Sequence, residues 1–160
     1  MTSRVSPGRI LAAILMLALA ACQSMGHSFG NAFEDSFEEG GLDFGAQLTG
    51  RNEPSGGDPD GTGTASIAIG DTGDRICTTL EVRNIGAVTA AQIDRGSSRA
   101  VGTPLVALDL PDDDWLDDCV AIDRRLLDEI RRNPAGFYVN VRTGEFPEGA
   151  IRGQISQSAH

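Results

Sequence analysis

Residues 133–155 read NPAGFYVNVRTGEFPEGAIRGQI and constrain the fold more than any other stretch. Asn133-Pro134 stops a helix, because the residue before proline is pushed out of the helical region. Phe137-Tyr138-Val139-Asn140-Val141-Arg142 then alternates apolar and polar residues, the period of a half-buried strand. Glycine and proline punctuate 143–149, and a second alternating run follows over 150–155. A chain with this ending closes on antiparallel β-structure.

The remaining pattern agrees. Strands are expected over 42–48, 64–69, 76–82, 89–95, 104–110, 137–142 and 150–155. On the third, Ile76, Thr78, Leu80 and Val82 share one face, and Cys77, Thr79 and Glu81 the other. Residues 50–63 form a long loop rich in glycine, and 111–118 form an acidic loop around Trp115. Asp123 is placed to N-cap one helix, Arg124–Arg132, whose apolar face is Leu126, Leu127 and Ile130. Arg131 and Arg132 suit its negative C-terminal end. The expected fold is all-β: an antiparallel, Greek-key-like sandwich of about seven strands with one short helix, over 42–156.

The N-terminus has a separate character. Arg4 and Arg9 precede a short apolar run, and Leu19-Ala20-Ala21-Cys22 closes it. That is the layout of a secretory signal. A run of roughly a dozen residues is too short to span a bilayer, which takes about 20. Leu-Ala-Ala-Cys resembles a bacterial lipobox. The resemblance implies that 1–21 are removed, that Cys22 is acylated and that 22–41 tether the domain to a membrane. Phe29, Phe33 and Phe37 fall at helical spacing within that tether. Gln23 after the cysteine implies an outer-membrane address, on the periplasmic or surface face of the cell envelope.

With Cys22 assigned to lipid, Cys77 and Cys119 remain. Outside the cytoplasm such a pair is expected to form a disulfide. The bridge is expected on the solvent face of the third strand, stapling a crossing segment there. All 13 basic residues are arginine; removing 1–21 takes away two of them and none of the 23 acids, for a net charge of −12. This acidity argues against nucleic acid as a partner and against electrostatic docking on anionic lipid.

The stretch that opens this section resembles the end of a CHRD (chordin-type) domain. The matching pieces are Asn133-Pro134, Phe137-Tyr138, Val139-Asn140-Val141-Arg142-Thr143, Pro147-Glu148-Gly149 and Arg152-Gly153-Gln154. Upstream, Ala91-Gln92-Ile93-Asp94-Arg95-Gly96, Asp60-Gly61-Thr62-Gly63 and Cys119 fit as well. The resemblance implies an extracytoplasmic β-sandwich module with no enzymatic activity attached.

Three positions depart from the family. Gln92, Asp94 and Arg142 stand where it tends to carry histidine. Alternate strand positions project to one face, so those imidazoles are suited to a metal. This chain keeps only His27 and His160, outside the expected domain, so neither a metal nor another cofactor is expected. A superoxide dismutase-like activity is a remote alternative. Gln92, Asp94, Tyr138, Asn140, Arg142, Arg152 and Gln154 instead form a candidate polar patch. An Asp94–Arg142 ion pair is expected in it, on a solvated sheet face.

Asp58-Pro59-Asp60-Gly61 reads as turn chemistry rather than a calcium loop, which needs more ligands and a closing Glu. No set of residues with nucleophile, base or phosphate-cradle spacing is present. The reading is a lipid-anchored, non-catalytic interaction module with a possible protein or polymer partner in the envelope. The alternative is a structural envelope component without a dedicated ligand.

Overall fold

A computed structural model describes residues 42–69, 73–111 and 114–158. The expectations for Cys22, the signal, the tether, His27 and His160 lie outside these residues. The described residues form nine strands: β1 Leu42–Thr49, β2 Thr62–Ile69, β3 Arg75–Arg83, β4 Val88–Arg95, β5 Thr103–Leu108, β6 Trp115–Ala121, β7 Phe137–Thr143, β8 Ile151–Gln154 and β9 Ser156–Gln157. Among the described residues one α-helix, α1 Arg124–Arg132, lies between β6 and β7, and short 3-10 turns are formed by Gly50–Asn52 and Pro134–Gly136.

Every pairing is antiparallel, and the order is β5-β4-β7-β8-β1-β2-β3-β6, with β9 beside β1. The all-β reading stands. Hydrogen-bonded neighbours run unbroken from β5 to β6, so the layers of the expected sandwich are parts of one curled sheet. That sheet is barrel-like and nearly closed.

Its inside is apolar because the alternation is kept strand by strand. Phe44, Leu48, Ile67, Ile69, Ile76, Leu80, Ile93, Val139 and Ile151 all join one core. Val139 and Val141 of β7 enter it, whereas Tyr138 and Asn140 turn to the outer face. The helix is where local chemistry put it. Asp123 Oδ1 accepts a hydrogen bond from Arg125 N at 2.8 Å, and Leu127 and Ile130 are fully buried in the core.

Two expectations change. The acidic loop ends at Asp114, and Trp115–Ala121 is a strand paired along its length with β3. Cross-strand pairing overrides a local run of aspartates that reads as loop. The Cys77–Cys119 disulfide is formed, with 4.0 Å between the two Cα atoms. It lies on the outer face as expected, but it joins directly opposed residues of neighbouring strands rather than a crossing segment.

Candidate functional site

Register decides what the polar patch becomes. Gln92 lies opposite Asn140, and Asn140 opposite Arg152; Asp94 lies opposite Tyr138, and Tyr138 opposite Gln154. The seven predicted residues therefore do share the outer face of β4, β7 and β8. That face is not solvated. Asp94, Tyr138 and Asn140 are each 1% exposed and Arg152 3%, while Gln92, Arg142 and Gln154 are half-buried. Loops 50–61 and 96–102 cover it, making a polar layer outside the apolar core.

The predicted Asp94–Arg142 pair is corrected. Ala90, not Asp94, lies opposite Arg142. Four residues of offset along a strand is about 13 Å, far beyond ion-pair reach. Asp94 instead accepts from Gln92 Nε2 at 2.8 Å and Asn140 Nδ2 at 3.5 Å, and it contacts the Tyr138 hydroxyl.

The ion pair on this face involves a residue the sequence reading left in a loop. Arg152 Nη2 lies 2.6 Å from Glu53 Oε2, with both side chains almost wholly buried. Arg152 Nη1 also donates to Ala100 O at 2.9 Å, and its guanidinium stacks 4.6 Å from the Tyr138 ring centroid. Arg152 is thus held by charge, by a carbonyl and by an aromatic face. Burial pushes the Glu53 carboxyl above its ordinary range, and Arg152 and then Arg142 oppose that shift. Burial likewise raises the Tyr138 phenol, which accepts a hydrogen bond from Gly102 N at 3.0 Å. Glu53, Asp94, Arg142 and Arg152 carry balanced formal charge.

Glycines make room for the pair. A Cβ on Gly149 would lie 2.3 Å from Glu53 Oε1, and one on Gly57 would lie 2.7 Å from Glu53 Cγ. Glu53 has no periodicity to reveal it. The signal that was available is the density of glycines in the loop that carries it.

The rest of the patch holds the covering loops. Gln154 Oε1 accepts from Ser98 N at 2.8 Å, and its Nε2 donates to Ala135 O at 3.0 Å. Loop 50–61 is pinned by Asn52 Nδ2 to Arg152 O at 3.0 Å and by Asp58 N to Ala150 O at 2.9 Å. Asp58 Oδ1 accepts from the Asp60 and Gly61 amides, which is a turn built on its own backbone. Among the described residues, no three of His, Cys, Asp or Glu converge as ligands would.

A family model for the CHRD domain matches residues 44–155. The chain belongs to the CHRD domain family. No curated protein and no solved structure matches it. The geometry explains what the CHRD signature does here. Gly149 gives space to Glu53, Arg152 pairs with it, and Gln154 holds loop 96–102. Gly153 lets β8 pass β1, since a Cβ there would lie 2.3 Å from Gln47 O. These residues build a buried polar clasp, with Gln92 and Arg142 at its half-buried margin.

Proposed function

We propose that the chain is a lipid-anchored cell-envelope protein whose CHRD domain is a non-catalytic interaction module. The observation that carries the reading is the CHRD match over 44–155. Two further features support it. The polar side chains that looked available for chemistry are committed to the protein's own loops. The Cys77–Cys119 bridge suits an oxidising compartment. The Leu19-Ala20-Ala21-Cys22 motif supports acylation at Cys22 and an outer-membrane site.

Metabolic labelling with a palmitate analogue tests the anchor: label is expected on the wild type and lost in Cys22→Ser. Label on both, or on neither, overturns it. Crosslinking in intact envelopes tests the module, with a reproducible stoichiometric partner expected. Recovery of bulk envelope components alone favours the alternative, a structural role without a dedicated ligand.

A further inference from the structure

The curled sheet stops short of closure. β5 and β6 end the strand order, and no ladder joins them among the described residues. The free edge of β6 is identified by its hydrogen bonds. Val82 N donates to Asp114 O at 2.9 Å and Ile122 N to Asp74 O at 3.1 Å, so the even-numbered residues of this strand bond to β3. The backbone groups of Trp115, Asp117, Cys119 and Ala121 therefore point away from β3, into the seam. The side chains of these four residues are exposed as well. Cys119 O accepts there from Arg75 Nη2 at 3.1 Å, and Asp109 N donates to Asp118 Oδ2 at 3.5 Å, so the open stretch of the edge is at Trp115 and Asp117.

The seam also gathers apolar surface. Among the described residues, the exposed large hydrophobic side chains are Val101, Leu105, Leu110 and Trp115, all on or beside β5 and β6. Trp115 is 52% exposed; strand addition draws its affinity from edge hydrogen bonds, and tryptophan beside such an edge is a residue type enriched among binding hot spots. Charge selects the occupant. Six of the ten residues from Asp109 to Asp118 are aspartate, and no arginine lies between Arg99 and Arg124. A second copy of a chain with net charge −10 is repelled from such an edge.

We infer that the β5–β6 seam takes an extended, cationic segment of a partner protein, one that carries basic and apolar side chains in turn on its outward face and adds as a strand to β6. The inference rests on the interaction-module reading above and names its surface. Backbone amides of the segment meet the edge at Trp115 and Asp117; these two residues share the outer face, where an apolar side chain of the segment meets Trp115 and a basic one meets Asp117, with exposed Asp114 at the start of the strand.

Trp115 is the single tryptophan of the chain, so its emission reports on the seam directly. Full-length protein is titrated with a synthetic peptide repeating Arg-Thr-Val-Thr, which puts arginine and valine in turn on one face of an extended strand. A saturable emission shift is expected. Asp114→Asn with Asp117→Asn is expected to weaken binding about tenfold, as losing two exposed charge contacts does. A peptide N-methylated on its edge-facing amides is expected not to bind. The inference is overturned by no emission shift, by equal binding to the double variant, or by equal binding of the N-methylated peptide. Self-association that shifts Trp115 emission without peptide also overturns it. If envelope crosslinking still captures the same partner with the double variant, the seam is wrong and the module reading survives. If no partner is captured from the wild type either, the module reading itself fails.

Discussion

Replacing Glu53 with alanine tests the buried clasp most directly. The substitution leaves Arg152 charged in a site where its side chain is 3% exposed. Removing one partner of a buried ion pair costs about 3–5 kcal/mol. Arg152 keeps Ala100 O and the Tyr138 ring, so the lower end, about 3 kcal/mol, is expected. That corresponds to a fall in Tm on the order of 10 °C for a domain of this size. Urea unfolding with the disulfide intact measures it. Replacing both Glu53 and Arg152 with methionine removes the charges together and is expected to cost about 2 kcal/mol less than the sum of the single changes. The pH dependence has a definite sign. The folded-state pKa of Glu53 lies above the usual 4.5, so the folded protein holds this proton where the unfolded chain releases it. The proton-linked increment from Glu53, distinct from the ionised Arg152 pair that Glu53→Ala tests, is fully present below 4.5 and is lost as pH rises through the raised folded value. Glu53→Gln is expected to remove that slope. A Glu53→Ala cost under about 1 kcal/mol, or additive single and double variants, would refute the clasp.

Gly149→Ala is expected to destabilise by about 1–3 kcal/mol through collision with Glu53, whereas Gly144→Ala, with no neighbouring atom within 4 Å, stays within about 0.5 kcal/mol; parallel urea melts compare them. Reducing Cys77–Cys119, whose residues are 42 apart in sequence, is expected to cost up to about 4 kcal/mol in the chain-entropy account, measured as the change in urea midpoint with and without reductant. Asp123→Ala is expected to cost about 1 kcal/mol by removing the cap on α1, seen in the same assay.

The parts of the fold legible in the sequence are those whose chemistry is local. Asp123, the spacing of Leu127 and Ile130, and Asn133-Pro134 mark α1 without reference to anything distant. Alternation over 76–82 shows which face of β3 is buried, because side chains in a strand repeat every two residues. β6 was not legible, since Trp115-Leu116-Asp117-Asp118 carries a loop-like charge density and becomes a strand through β3.

The candidate site divides in the same way. Alternation placed Gln92 with Asp94, Tyr138 with Asn140 and Arg142, and Arg152 with Gln154 strand by strand; the β4–β7–β8 pairing brings the three sets to one face. Which of them meet depends on register between strands far apart in the chain, and that register puts Ala90 rather than Asp94 opposite Arg142. Whether the face is wet depends on loops that fold back over it, and those loops bring Glu53 to Arg152 across about 100 residues. The sequence by itself determined the all-β architecture, the helix and the outward polar face, because period and capping are short-range. Only the tertiary structure decided that this face is a buried clasp and that the open edge lies at β6, because register, loop closure and strand order are long-range.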